Sequence, residues 1–235
     1  MPNPSSTKTV LIVGASRGLG YAMAEEYEKR GWSVIGTVRG DSRTPLHDLA
    51  TKSEGRVEIE QVDINFPDQI AALRDRLAGR SLDLLFMNSG VGTPNPNEPA
   101  GAVSTDEFIR VLVTNALSPM RVIEALQDLV PPTGVIGVMS SGLGSVTNNT
   151  NGAFDLYRGS KAALNTYMRS FAARHAQSPR AMAVIAPGWV RTDLGGPAAP
   201  LGVEDSIPGV VDVLTAIQGK AGLQYLDYMG RTVPW

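Results

Sequence analysis

The sequence predicts an α/β fold: a doubly wound parallel sheet of about seven strands with helices on both faces. Three observations point there. Short apolar, β-branched runs alternate with helical patterns of ten residues or more along the chain, and that alternation builds parallel strands joined by right-handed crossovers. The runs are continuously apolar, as in Val10-Leu11-Ile12-Val13, which marks strands covered on both faces. The length of 235 residues suits one domain with a sizeable core.

Residues 1–8 read as a loose tail, and residues 9–235 as a single domain. Strand one spans 10–13. A helix over 18–30 follows, with Gly31 as its cap. Strands are expected at 33–38 and 57–62, a helix at 67–78 and a strand at 82–87. A long helix over 105–129 is opened by Ser104 and Thr105, with Glu107 nearby, and ends before Pro131-Pro132. Strand 134–139, helix 156–175 and strand 182–185 come next. A helix over 205–218 carries Pro208 within its first turn, and 223–228 forms a seventh strand. No short-period repeat or linker-like break interrupts this order.

Composition excludes several function classes. A net charge of -2 and a pI near 5.7 carry no basic excess for nucleic acid. With 0 cysteines, disulfides, thiolate zinc sites and cysteine nucleophiles are impossible. The 2 histidines, His47 and His175, are far apart and read as surface residues, so no metal site is expected. No run approaches the ~20 apolar residues of a membrane span. The apolar stretch before Gly14 faintly resembles a signal segment but flows into a glycine pattern with its own explanation. A soluble cytoplasmic protein is the expectation. The 25 glycines exceed the usual share of about 7%, without a collagen period.

Ligands of doubly wound sheets sit at the carboxyl ends of the strands. There, after strand one, stands Gly14-Ala15-Ser16-Arg17-Gly18-Leu19-Gly20, a G-x-x-x-G-x-G loop running into a helix. The glycines permit a tight turn, backbone approach to a pyrophosphate and close helix–strand packing. The helix N-terminus offers free N–H groups to the phosphates. Gly14, Ser16, Arg17, Gly18, Leu19 and Gly20 are therefore candidate dinucleotide ligands.

An acid at the end of strand two binds the ribose 2′-OH of NAD, whereas an arginine suits the 2′-phosphate of NADP. Here Val38 is followed by Arg39, with Arg17 as a second candidate cation. Two guanidiniums match a dianionic phosphate, so NADP(H) is preferred. Asp41, two residues on, leaves NAD(H) possible.

The glycine spacing resembles the nucleotide loop of the short-chain dehydrogenase/reductase superfamily, and the likeness extends from about residue 9 to 235. Tyr157-Arg158-Gly159-Ser160-Lys161 is Y-x-x-x-K at helical spacing, which puts phenol and ammonium on one face. A lysine cation there favours tyrosinate in a residue whose free pKa is near ~10. Ser141 ends strand five and is followed by x-x-Gly, matching the family's catalytic serine. Its gap of 16 to Tyr157 (157 − 141 = 16) is long, and Ser145 is a rival. Asn115 sits in the long helix where the superfamily places an asparagine that holds a proton-relay water. Pro119, in mid-helix, would free a carbonyl near Asn115 by removing a helical bond.

The resemblance further implies that Asp63, followed by Ile64, contacts the adenine. Asn88 and Gly90, in a degraded version of the family's Asn-Asn-Ala-Gly, turn beside the cofactor. Pro187, Gly188, Val190 and Thr192 match a Pro-Gly-x-x-x-Thr segment facing the nicotinamide carboxamide. The stretch Tyr157 to Asn165 and the final Val233-Pro234-Trp235 are similar to the C-factor and sniffer-like carbonyl reductase branch. The fold implied is Rossmann-type. The activity implied is hydride transfer between nicotinamide and a carbonyl or alcohol carbon, with Asn115, Ser141, Tyr157 and Lys161 catalytic.

A Gly/Pro/Ala-rich segment over 194–208 reads as a substrate lid. Val91, Thr93, Leu143, Phe154 and Trp189 are candidate pocket residues, which suits a small apolar or aromatic substrate. By resemblance, a homodimer or homotetramer would form through helices 105–129 and 156–175. The alternative is a catalytically idle NADP-binding sensor. Against an epimerase or dehydratase stand the 43 residues after Thr192 (235 − 192 = 43), too few for a larger substrate domain.

Overall fold

The computed structural model of the protein describes residues 7–235. The expected tail therefore lies, apart from Thr7 and Lys8, outside the described residues. Seven strands form one sheet: β1 (Thr9–Val13), β2 (Ser33–Val38), β3 (Val57–Gln61), β4 (Leu84–Met87), β5 (Val135–Met139), β6 (Ala181–Ala186) and β7 (Gly222–Asp227). Their order is β3-β2-β1-β4-β5-β6-β7, and every pairing is parallel. The chain winds outward from β1 to β3, then returns to place β4 beside β1. That reversal opens a crevice between the loops after β1 and β4.

The central strands are apolar because both faces are covered. Leu11 and Val13 join one core, built from α3 (Pro67–Arg76), α5 (Ser118–Leu126) and α6 (Asp155–Arg174). Val10 and Ile12 point to the other, built from α1 (Gly18–Lys29), α2 (Pro45–Lys52) and α7 (Val203–Ala216). Gly31, at φ +81°, ends α1 as expected, and the Trp32 N–H closes the cap on the Tyr27 carbonyl at 3.0 Å. Among the described residues, no helix is long and apolar enough to cross a membrane.

Four local expectations are corrected. The sequence reading left 41–56 without a helix, yet α2 forms there. Thr44 caps it, Pro45 opens it, and Leu46 packs on the sheet. Gly36 makes room: a Cβ there would lie 2.7 Å from Leu46 Cδ2. The second correction concerns the histidines. His47 is half-buried in this cap, its Nδ1 accepting the Thr44 N–H at 3.1 Å, and half-buried His175 stacks on Phe171.

The third correction is the long helix over 105–129, which is interrupted. It comprises α4 (Thr105–Leu112), a wide π turn over Val113–Leu117, α5, and a 3₁₀ end over Gln127–Leu129. Pro119 has no N–H for the Asn115 carbonyl, and the Ser118 N–H reaches back five residues to Val113 instead. Finally, α7 begins at Val203, so Pro208 lies inside it and the segment available as a lid is 194–202. The Gly202 N–H donating to Asp205 Oδ2 at 2.7 Å fixes this earlier start.

Candidate active site

The glycine loop leaves β1 at Gly14, whose φ of +91° only glycine adopts freely. Its N–H donates to Thr37 Oγ1 at 2.9 Å, and its carbonyl accepts from Asn88 Nδ2 at 2.8 Å. A Cβ on Gly20 would lie 2.0 Å from that carbonyl, so α1 can meet β1 only through glycine. No side chain caps α1, and no acid occupies its first turn. The leading amides of a helix have no internal partner, so those of Gly18, Leu19 and Gly20 remain as anion donors. Ser16 is half-buried beside them.

Arg39 stands exposed at the end of β2 with no hydrogen-bond or ionic partner among the described residues. Asp41 is turned toward β3, where its Oδ1 accepts from Gln61 Nε2 at 3.0 Å. Arg17, the second candidate phosphate cation, instead pairs with Asp193 at 2.7 Å, both side chains well exposed. This pair joins the glycine loop to the loop after β6. After β3, Asp63 is half-buried and accepts the Asn65 N–H at 2.9 Å, while Ile64 packs in the core.

The loop after β4 turns tightly against β1. The amides of Asn88 and Ser89 both donate to the Val13 carbonyl. Beyond it, Asn115 is wholly buried and fixes Val91 from both sides. Its Oδ1 accepts the Val91 N–H and its Nδ2 donates to the Val91 carbonyl, each at 2.8 Å. The same Nδ2 reaches Ser160 Oγ at 3.0 Å, and Ser160 donates to the Tyr157 carbonyl at 2.7 Å. Both Nδ2 donors of Asn115 are thus engaged, while Oδ1 accepts one bond. Lys161 Nζ and Asn115 Oδ1 converge on Gly90, where a Cβ would lie 3.3 Å and 3.4 Å from them.

Ser141 follows β5 by two residues and heads a single 3₁₀ turn over Gly142–Gly144. Its Oγ accepts the Leu143 N–H at 3.1 Å, and its hydroxyl hydrogen-bonds to Tyr157. Tyr157, in the first turn of α6, lies beside it. Burial pushes the phenol pKa up to about 12, against an opposing hydrogen bond from Ser141. Lys161 is buried, and its ammonium donates to the Met139 carbonyl at 3.0 Å. Desolvation lowers its pKa to about 8. Burial thus raises the phenol and lowers the ammonium in the absence of cofactor, with Lys161 Nζ 5.8 Å from the Tyr157 ring centroid.

Ser145 is turned away from the phenol. Its hydroxyl donates to the Trp235 carbonyl at 3.2 Å and accepts the Asn148 N–H at 3.1 Å.

The loop after β6 completes the edge. Pro187 is buried, its carbonyl accepting Ser206 Oγ at 2.6 Å, and Gly188 turns with φ +87°. Val190 bridges to Leu201, and Thr192 Oγ1 accepts the Gly195 N–H at 3.1 Å. Thr192 also faces the glycine loop, its Cγ2 lying 3.9 Å from where a Gly18 Cβ would stand. Of the expected pocket residues, Val91, Thr93 and Leu143 are half-buried, while Phe154 and Trp189 are exposed. The Trp189 indole donates to the Gly195 carbonyl at 2.7 Å, and Leu194 reaches across to Gly92. A cavity of about 480 Å³ lies behind the Ser141 turn, between α6 and Trp235.

Sequence reasoning missed the groups that hold these residues: Ser140, Ser160, Asn165 and Tyr225. The first three form buried polar contacts around α6. Asn165, at i+4 from Lys161 on a helix face turned inward, carried the one readable signal.

The comparisons agree with this geometry. The short chain dehydrogenase family pattern matches residues 8–200. A Burkholderia multivorans protein described as a short-chain dehydrogenase/reductase, solved with bound NADP, superposes with a TM-score of 0.97. It is 61% identical, with 98% of this chain and 100% of that one covered. The carbonyl reductase Sniffer of D. melanogaster superposes at 0.90 with 27% identity, over 98% and 100% of the two chains. The C-signal protein of Myxococcus xanthus is 33% identical over 156 residues, 66% of this chain and 93% of that protein. A sheet wound for a dinucleotide, a serine, tyrosine and lysine gathered at its carboxyl edge, and these likenesses agree: the chain belongs to the short-chain dehydrogenase/reductase family, oxidoreductases of carbonyl and alcohol groups.

Proposed function

We propose that the protein is an NADPH-dependent reductase of small apolar or aromatic aldehydes and ketones. The observation that carries this reading is the meeting of Ser141 and Tyr157 at the strand edge that also bears the glycine loop. The residues fit the cofactor. Gly20 leaves no room for a side chain, the N-terminus of α1 is uncapped, and Arg39 is free to meet a 2′-phosphate. The NADP bound by the Burkholderia multivorans protein supports the same choice.

NADPH, when bound, supplies the hydride. Ser141, with its oxygen already accepting from Leu143, directs its proton to the substrate oxygen, where negative charge grows. Tyr157, kept neutral by burial, gives its proton to that oxygen. Lys161 has one carbonyl partner among the described residues, and its remaining N–H groups face the ribose hydroxyls. Asn115 locks the loop after β4 to α6 and offers its main-chain carbonyl to a relay water. Asp63 and Ile64 meet the adenine, and Pro187, Gly188, Val190 and Thr192 the carboxamide. Val91, Thr93, Leu143, Phe154 and Trp189 wall the substrate, with 194–202 as the lid. The Sniffer likeness supports a carbonyl substrate. Exposed Phe108, Ile109, Leu117 and Tyr167 on the helical face support a homo-oligomer through α4, α5 and α6.

The test is NADPH and NADH oxidation against a panel of aromatic, aliphatic and carboxylate-bearing aldehydes and ketones. Turnover of uncharged aromatic members with NADPH is expected. Cofactor binding without turnover of any member would instead make the protein an idle sensor.

A further inference from the structure

The Ser141 turn is too short to hold itself. Gly142–Gly144 is one 3₁₀ turn, and its internal bonds are Leu143 N–H to Ser141 Oγ, Gly144 N–H to the Ser141 carbonyl and Ser145 N–H to the Gly142 carbonyl, at 3.1, 2.9 and 3.2 Å. These shape the turn but do not orient it against Tyr157. Two outside groups do. Asn165, on the same helix as Tyr157, donates to the Gly144 carbonyl at 3.1 Å and accepts Ser140 Oγ at 2.7 Å. Tyr225, on β7, reaches past β6 and donates its hydroxyl to the Ser141 carbonyl.

Tyr225 is itself clamped. It is 2% exposed, so water does not compete for its hydroxyl. Its ring packs on Trp235 with centroids 5.1 Å apart, and the Val233 N–H donates to its carbonyl at 2.9 Å. Trp235 returns to the serine segment. Its carbonyl accepts Ser145 Oγ at 3.2 Å and the Thr147 N–H at 3.0 Å, and the Arg169 guanidinium lies 4.8 Å from its ring. The contacts close a circuit: Ser141, Tyr225, Trp235, then Ser145 and Thr147 a few residues after Ser141.

We propose that Tyr225 is a positioning residue that aims the Ser141 hydroxyl at the substrate oxygen, with Trp235 holding Tyr225 in place. The proposal rests on the reading of Ser141 as the hydroxyl that polarises the carbonyl. Tyr225→Phe removes the aiming bond and keeps the ring. The Ser141 carbonyl retains Gly144, so the turn still forms but is free to tilt.

The test uses the full chain with NADPH and 4-nitrobenzaldehyde. Y225F is expected to lower kcat about tenfold or more, as small misplacements of reacting groups do, with NADPH affinity held within about twofold. In a Ser141→Ala background the same change is expected to alter kcat by less than about twofold, because no hydroxyl remains to be aimed. A wild-type kcat in Y225F, or an equal fold-loss in both backgrounds, would overturn the proposal. A wild-type kcat in Ser141→Ala alone would instead remove the Ser141 reading on which it rests. If Y225F does not fold, Trp235→Leu gives the second measurement. A loss confined to kcat supports the circuit, and an unchanged kcat overturns it.

Discussion

Replacing Lys161 by Met should stabilise the cofactor-free protein at neutral pH while removing its activity. Lys161 is 3% exposed, its ammonium has a single carbonyl partner, and burial lowers its pKa from 10.5 to about 8. The unfolded chain therefore holds this proton more tightly than the folded one. The cost is complete below the folded pKa and fades as pH rises toward the unfolded value. At about 1.4 kcal/mol per pKa unit, it amounts to about 3 kcal/mol at pH 7 and about 1 kcal/mol at pH 10. Methionine has a similar length and no charge, but it leaves the Met139 carbonyl without its donor, a loss of about 1 kcal/mol. The balance is a gain of about 2 kcal/mol at pH 7 that vanishes near pH 10. For a chain of this size the gain at pH 7 is a rise of about 4–8 °C in Tm. Urea unfolding of both proteins from pH 6 to 10, compared at equal slope, reads the difference directly. A variant less stable than wild type at pH 7, or a difference that stays flat up to pH 10, would refute the reasoning. Turnover should fall at least about 10²-fold.

Arg39→Ala should lower kcat/KM for NADPH about tenfold to a hundredfold, the range of a charge-assisted phosphate contact, and leave NADH nearly unchanged. An equal loss with both cofactors would remove Arg39 from the 2′-phosphate site. The two serines should separate by assay. Ser145→Ala loses bonds to Trp235 and Asn148 while Thr147 keeps its bond to Trp235, so it should cost about 1–3 kcal/mol of stability with a far smaller loss in kcat than Ser141→Ala. Ser141→Ala loses one bond, to Leu143, so it should cost about 1 kcal/mol of stability and lose about 10²–10³ in kcat. The reverse pattern in melting curves and initial rates would exchange their roles.

The sheet was legible because its signal is local. Strands buried on both faces read as continuous apolar runs, and β1, β2 and β5 appear nearly to the residue. The helix α2 was not legible because it is short and rests on a distant fit. Leu46 packs where Gly36 leaves space, and neither residue announces the other. The π turn over Val113–Leu117 shows partial legibility. Pro119 signalled a disturbed helix, but only the backbone shows the extra residue accommodated before it.

The site divides along the same line. Residues that touch cofactor or substrate belong to short motifs, because a loop after one strand or one helical turn must place them together. The glycine loop, Tyr157 and Lys161 are of that kind. The residues that hold them come from far away in sequence: Thr37 on Gly14, Ser160 between Asn115 and Tyr157, and Tyr225, 84 residues beyond Ser141. No spacing rule connects such pairs, since strand order rather than chain order makes them neighbours. The Arg17–Asp193 pair was illegible for this reason. In sequence Arg17 has no visible acid, but the fold brings Asp193 across from β6 to 2.7 Å. Arg39, with no such rival, is the cation whose removal should discriminate between the two cofactors.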